Sequence, residues 1–192
     1  MKNLVMLALF IFHFGIVALS QEKGLFIDPR DNKEYKTVLI GDQVWFAENL
    51  AFESKKGSWV YKKDSNNLNE YGRLYNWKTA CKICPMGWRL PTIDDYKVLL
   101  KNLDVDDSLQ YFNALIDGGI SGFNAKLAGW YARMKYGQLN EHTDFWTSSV
   151  YQPFKGATKA PYRFSLYLFD KMVYWGNDFS NYAFSVRCIK EE

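Results

Sequence analysis

Any chemistry in this chain has to come from a small stock of residues: two histidines, three cysteines and 21 carboxylates among 192 positions. A nucleophilic site needs a hydroxyl or thiol beside a base that a third group orients. His13 lies in an apolar run, which leaves His142 in the polar stretch Leu139-Asn140-Glu141-His142-Thr143-Asp144, read here as a surface loop. Zinc needs several Cys and His ligands at fixed spacing, and Cys81-Lys82-Ile83-Cys84 is a lone C-x-x-C without a second pair. No phosphate-loop, dinucleotide-loop or hydrolase-elbow motif occurs. Glycoside hydrolysis needs two acids bracketing a cleft. Glu48, Asp94, Asp95, Asp144 and Asp178 are available, but Asp94 and Asp95 are better explained by helix capping, and nothing brackets two acids. No catalytic residue, metal ligand or cofactor is therefore expected.

Binding is better supplied. Aromatic residues make up 18% of the chain, and they divide into two sets. Trp45, Trp77, Trp88, Trp130 and Trp146 fall in apolar segments and are expected to fill the core. Trp59, Tyr131, Tyr136, Tyr151 and Trp175 lie in or beside polar, Gly-rich loops, where rings can stack on sugar faces or anchor a protein partner. Tyr131, Tyr151 and Trp175, with Asn177 and Asp178, are the candidate ligand residues. The net charge of +3 comes without a basic block, so no nucleic-acid partner is expected. A glycan or an envelope protein is the expected ligand class.

The elements that must position these residues begin after a leader. Met1-Lys2-Asn3 is a short basic start, residues 4–19 are almost unbroken apolar sequence, and Ala18-Leu19-Ser20 has the small-x-small cleavage pattern. Residues 1–20 are expected to be a signal peptide, and residues 21–192 a single exported domain with no membrane span. In an oxidising compartment three cysteines imply one bridge and one leftover. Spacing leaves three pairings open. A link from Cys84 to Cys188 would close about a hundred residues and stabilise by roughly 4 to 5 kcal/mol on the chain-entropy model.

Within the domain, residues 35–40 and 44–46 alternate around Gly41-Asp42-Gln43, a hairpin signal, and 53–70 reads as loop. A short helix is expected over 73–80, ended by Pro85. A second helix runs from Thr92 to about Asn102, with Thr92 and the acids after it as a capping box and Val98 and Leu99 inward. A third spans about 107–116, with Leu109, Phe112 and Ile116 on one side and Gly118-Gly119 as its stop. Strands follow at 145–150, 162–169, 172–175 and 182–189, with Gly176-Asn177-Asp178 as a turn. Helices early and antiparallel strands late, with β-formers at both ends, predict an α+β domain.

Several pieces, in order, resemble the Fibrobacter succinogenes major paralogous domain family. They are Asp28-Pro29-Arg30-Asp31, Tyr35-Lys36-Thr37-Val38, Ile40-Gly41-Asp42-Gln43-Val44-Trp45, Ala47-Glu48-Asn49-Leu50, Tyr71-Gly72-Arg73-Leu74-Tyr75-Asn76-Trp77, Cys84-Pro85-Met86-Gly87-Trp88-Arg89-Leu90-Pro91-Thr92, Phe145-Trp146-Thr147-Ser148-Ser149 and Phe184-Ser185-Val186-Arg187-Cys188. The resemblance implies a C-type-lectin-like domain akin to the formylglycine-generating enzymes, with two helices, a twisted antiparallel sheet and paired chain ends. It also implies a Cys84–Cys188 bridge, with Cys81 spare, and an exported or cell-surface bacterial role. A peptide-modifying oxidase of the formylglycine-generating type would need two free thiols for copper, and that bridge leaves one. A structural envelope role is the other alternative. The calcium lectins of the fold use Glu-Pro-Asn or Gln-Pro-Asp and Trp-Asn-Asp. Here Gln152-Pro153-Phe154 and Trp175-Gly176-Asn177-Asp178 depart from both, since Phe154 has no ligand oxygen and Gly176 shifts the polar pair by one.

Overall fold

The computed structural model describes residues 23–191, and the signal peptide expected at residues 1–20 lies outside them. The described chain is α+β, with two sheets and four α-helices. The smaller sheet runs β1 (Lys23–Ile27), β2 (Glu34–Ile40), β3 (Gln43–Phe46), β13 (Ile189–Lys190), β6 (Trp88–Arg89). Both ends of the described chain thus share one sheet, with β13 pairing β3 and β6.

The larger sheet runs β11 (Met172–Asn177), β10 (Ala160–Tyr167), β9 (His142–Tyr151), β7 (Ala128–Ala132), β12 (Ala183–Ser185), β5 (Leu74–Asn76), β4 (Ser58–Trp59). A further strand, β8 (Lys135–Leu139), pairs with β7. The sheet is mixed, because β9 lies parallel to both β7 and β12.

The helices are α1 (Ser65–Tyr71), α2 (Trp77–Ile83), α3 (Ile93–Lys101) and α4 (Ser108–Leu115). Each starts on an Asp, Asn or Thr whose side chain accepts a free backbone N–H: Asp64, Asn76, Thr92 and Asp107. Such caps contribute about 1 kcal/mol each. Thr92 and Asp95 form the expected reciprocal box. Among the described residues no helix is long and apolar enough to cross a membrane.

Several expectations are corrected, beginning with the two helices and one antiparallel sheet that the resemblance implies: the described chain has four α-helices and two sheets, the larger of them mixed. Residues 53–70 are not a plain loop, since they carry β4, a 3₁₀ turn and α1. No residue of α1 is buried, so it has no apolar stripe to reveal it. The helix expected over 73–80 starts at Trp77 because Leu74 and Tyr75 pair in register with β12 and β4, and Asn76 turns the chain into the cap. In α3 the inward stripe is Tyr96, Leu99 and Leu100, with Leu103 just beyond the helix packed against the same core, while Val98 is exposed. Likewise Leu109 of α4 is exposed, and Phe112 and Leu115 face the core.

Alternation along β9 and β10 divides the core. Phe145, Phe164 and Leu166 face α3 and α4 and join Trp45, Tyr96 and Phe123. Trp146 turns to the other side and packs with Phe184, Tyr75, Phe46 and Trp88 around the disulfide Cys84–Cys188. The bridge expected from the family pattern is the one formed, and Cys81 is exposed and free.

Candidate functional site

His142-Thr143-Asp144 and Arg163-Phe164-Ser165-Leu166-Tyr167 are strand sequences of period two. Their apolar members enter the core, so His142, Asp144, Arg163, Ser165 and Tyr167 are put together on the opposite face. Register completes the arrangement, with Asp144 opposite Ser165 and His142 opposite Tyr167. This polar face floors a cavity of about 440 Å³, walled by Trp130, Arg133, Lys135 and Gln138 of the β7–β8 hairpin and by Asp178, Tyr182 and Phe184. That volume is within the range of small-ligand pockets, ~300 to 1,000 Å³.

Asp144 is the hub. Its Oδ1 accepts from Ser165 Oγ at 2.5 Å and from Arg163 Nη1 at 2.7 Å, and lies 3.0 Å from His142 Nε2. Arg163 also donates through Nε to Asp178 Oδ2 at 3.3 Å and through Nη1 to Ser165 Oγ. Burial works against the Arg163 cation, but Asp144 and Asp178 outweigh it and hold its pKa above the ordinary value. Burial, reinforced by the Asp144 charge, pushes the Tyr167 hydroxyl up. Gly176 lies close to this arginine, and a Cβ there would press on the guanidinium, 3.2 Å from Arg163 Cζ.

His142 is not on a surface loop. It is buried in β9 with its ring stacked on Tyr167, centroids 3.9 Å apart. With Nε2–H donating to the carboxylate, Nδ1 of the neutral ring is an acceptor, and it is buried without a hydrogen-bond partner. Ser, His and Asp are all present here, yet they do not form a nucleophilic relay. Serine and histidine both bond to the same Asp144 oxygen, which leaves Ser165 without the base contact that activation requires. What the floor offers is fixed acceptors: Asp144, Asp178 and His142 Nδ1.

The hairpin that walls the cavity is unusual. Arg133 and Met134 form the two-residue turn between the paired Ala132 and Lys135, and both have positive φ, 50° and 63°. Asn-Gly is the sequence such a turn favours, and holding other side chains there costs about 1 kcal/mol each. Arg133 lies over the Tyr182 ring, 5.8 Å from its centroid, and Trp130 Nε1 donates to Gln138 Oε1 at 2.7 Å.

Of the five ligand residues expected from sequence, Asp178 alone lines this cavity. Trp175 packs on the helix side of the sheet against Phe164, centroids 4.9 Å apart. Tyr131 sits between Trp59 and Tyr136, Tyr151 lies at the end of β9 near Tyr162, and Asn177 belongs to β11 rather than to a turn. Trp130, expected in the core, is half-buried at the cavity wall. Among the described residues no group of three or more His, Cys, Asp and Glu is placed to hold a metal ion.

The motifs quoted from the sequence converge elsewhere. Arg187 is fully buried, donates to Asn49 Oδ1 at 2.9 Å, Phe46 O at 3.1 Å, Asn124 O at 2.7 Å and Phe123 O, and stacks on Phe123. Leu50 N bonds Val186 O, Trp146 Nε1 bonds Tyr75 O, and Ser148 N bonds Pro91 O. These contacts join the separate motif segments into one frame, and the model of the Fibrobacter succinogenes major domain matches residues 38–190. The chain belongs to the Fibrobacter succinogenes major domain family. No curated protein matches it, and no solved structure does. The family's motif residues thus build the frame, while His142, Asp144, Arg163, Tyr167 and Asp178 lie outside the motif stretches.

Proposed function

We propose that this protein is an exported, non-catalytic binding module on a C-type-lectin-like scaffold, and that it holds a glycan in the cavity over β9 and β10. The supporting observation is the pairing of an acceptor-rich floor with aromatic walls. Sugar hydroxyls donate to carboxylates and to a neutral imidazole nitrogen, and the C–H faces of a sugar ring stack on Trp and Tyr. Asp144 is held in place by three neighbours before any ligand arrives, so little ordering is left to be done on binding. The signal-like leader supports export.

The test is a glycan array followed by titration calorimetry on the hits. Trp130→Ala is expected to weaken binding at least tenfold with the fold intact by circular dichroism. A glycan bound equally well by Trp130→Ala and by Asp178→Asn, or an array on which wild type binds nothing, would overturn this reading.

A further inference from the structure

We infer that the glycan this cavity takes is acidic, with a sugar carboxylate held at the rim by Arg133 and Lys135. This inference rests on the glycan-binding reading and refines it. The charges of the floor are already matched to one another: Arg163 is bonded to both Asp144 and Asp178, and His142 and Ser165 add to Asp144. The cations of the hairpin are not. Neither Arg133 nor Lys135 takes part in an ion pair among the described residues, although both line the cavity.

Both belong to the hairpin that walls the cavity. Arg133 occupies a turn position whose positive φ disfavours it, and it lies toward Tyr182 on the opposite wall. Lys135 follows two residues later, paired with Ala132. A second observation inside the cavity points independently to a ligand: His142, almost wholly buried, lines it with an Nδ1 that has no hydrogen-bond partner and that in the neutral ring takes a donor. A uronic acid meets both demands, presenting hydroxyl donors to the floor and a planar carboxylate to the rim. Arg binds that carboxylate with two parallel N–H groups, and Lys adds a point charge.

Uronic-acid oligosaccharides, each tested beside its carboxyl-reduced counterpart, provide the experiment. The acid of a bound pair is expected to bind at least tenfold tighter in low salt, with the ratio falling as salt rises. In Arg133→Gln/Lys135→Gln the ratio is expected to drop to about one, while the neutral counterpart keeps its wild-type affinity. Equal binding of acid and neutral members, unchanged by the double substitution, would overturn the acidic assignment and leave the glycan reading standing. A preference confined to sulfated oligosaccharides would overturn the carboxylate. Binding of neither series, with Trp130→Ala indistinguishable from wild type, would overturn both readings.

Discussion

Arg187 and Arg163 are both held by several hydrogen bonds, yet they are solved in opposite ways. Arg187 has no carboxylate among its bonded partners: Asn49 and three backbone carbonyls surround it, with the Phe123 and Phe145 rings 4.6 and 5.5 Å away. Burial pushes its pKa down to about 9, which leaves it cationic at neutral pH. Arg163 has Asp144 on the neighbouring strand β9, Ser165 on its own strand and Asp178 just past β11, and it opens on a cavity. Carbonyls from residues 46, 123 and 124 can meet one guanidinium in a single arrangement of the chain, so Arg187 pins topology. Carboxylates beside Arg163 create a charged floor that a ligand can join. The quoted family motifs fall on the frame, and the floor residues lie outside them.

Breaking the frame is expected to cost most. Replacing Cys84 and Cys188 together by Ala removes a bridge between residues 104 apart and is expected to lower stability by roughly 4 to 5 kcal/mol, read from urea unfolding midpoints. Arg187→Met comes next, at about 3 to 4 kcal/mol, because it leaves the carbonyls of Phe46, Phe123 and Asn124 buried without donors. Neither change touches the cavity. Arg163→Gln should reverse the pattern. Asp144 keeps His142 and Ser165, so the stability loss is expected to be about 1 to 2 kcal/mol, with glycan binding lost beyond detection in calorimetry. A large unfolding cost at Arg163 with binding retained would mean that the two arginines do the same job.

The two regions also differ in how far the sequence discloses them. Frame residues are concentrated in contiguous, ordered stretches such as Phe145-Trp146-Thr147-Ser148-Ser149, where each side chain has a separate duty. Phe145 and Trp146 enter the two cores, and Ser148 and Ser149 fasten the start of α3. The hairpin of β2 and β3 and the capping box of α3 are accordingly readable in local pattern, whereas the disulfide, with three pairings open by spacing, follows from the family resemblance. The cavity floor was written in a weaker signal, the alternation of polar residues 163, 165 and 167 with Phe164 and Leu166, joined to His142 and Asp144 two apart. A strand with so charged a face reads as surface until its partner strand supplies the counter-charge. That partnership depends on register between segments some twenty residues apart, which local pattern does not encode. Trp175 shows the converse: flanked by polar and glycine residues, it resembles a loop anchor, yet the pleat of β11 turns it onto Phe164 and the helix side. Edge strand β1 escaped notice because Lys23–Ile27 is largely exposed and pairs on one side with β2.

The smallest expected effect isolates an electrostatic part of the frame. Burial alone would raise the Asp95 pKa, but Arg89, at 2.6 Å, and Thr92 outweigh it and hold the carboxyl below its usual value. A carboxylate whose folded pKa is depressed contributes stability fully above its unfolded pKa, near 4, and loses it as pH falls through the folded value. Asp95→Asn should therefore cost about 1 kcal/mol at pH 6, through the lost ion pair and weakened capping box. Below pH 4 the gap should narrow as wild-type Asp95 takes up its proton, until the two unfolding midpoints approach each other. A gap that stayed constant from pH 6 to 2.5 would show that Asp95 acts through its shape in the capping box and not through its charge.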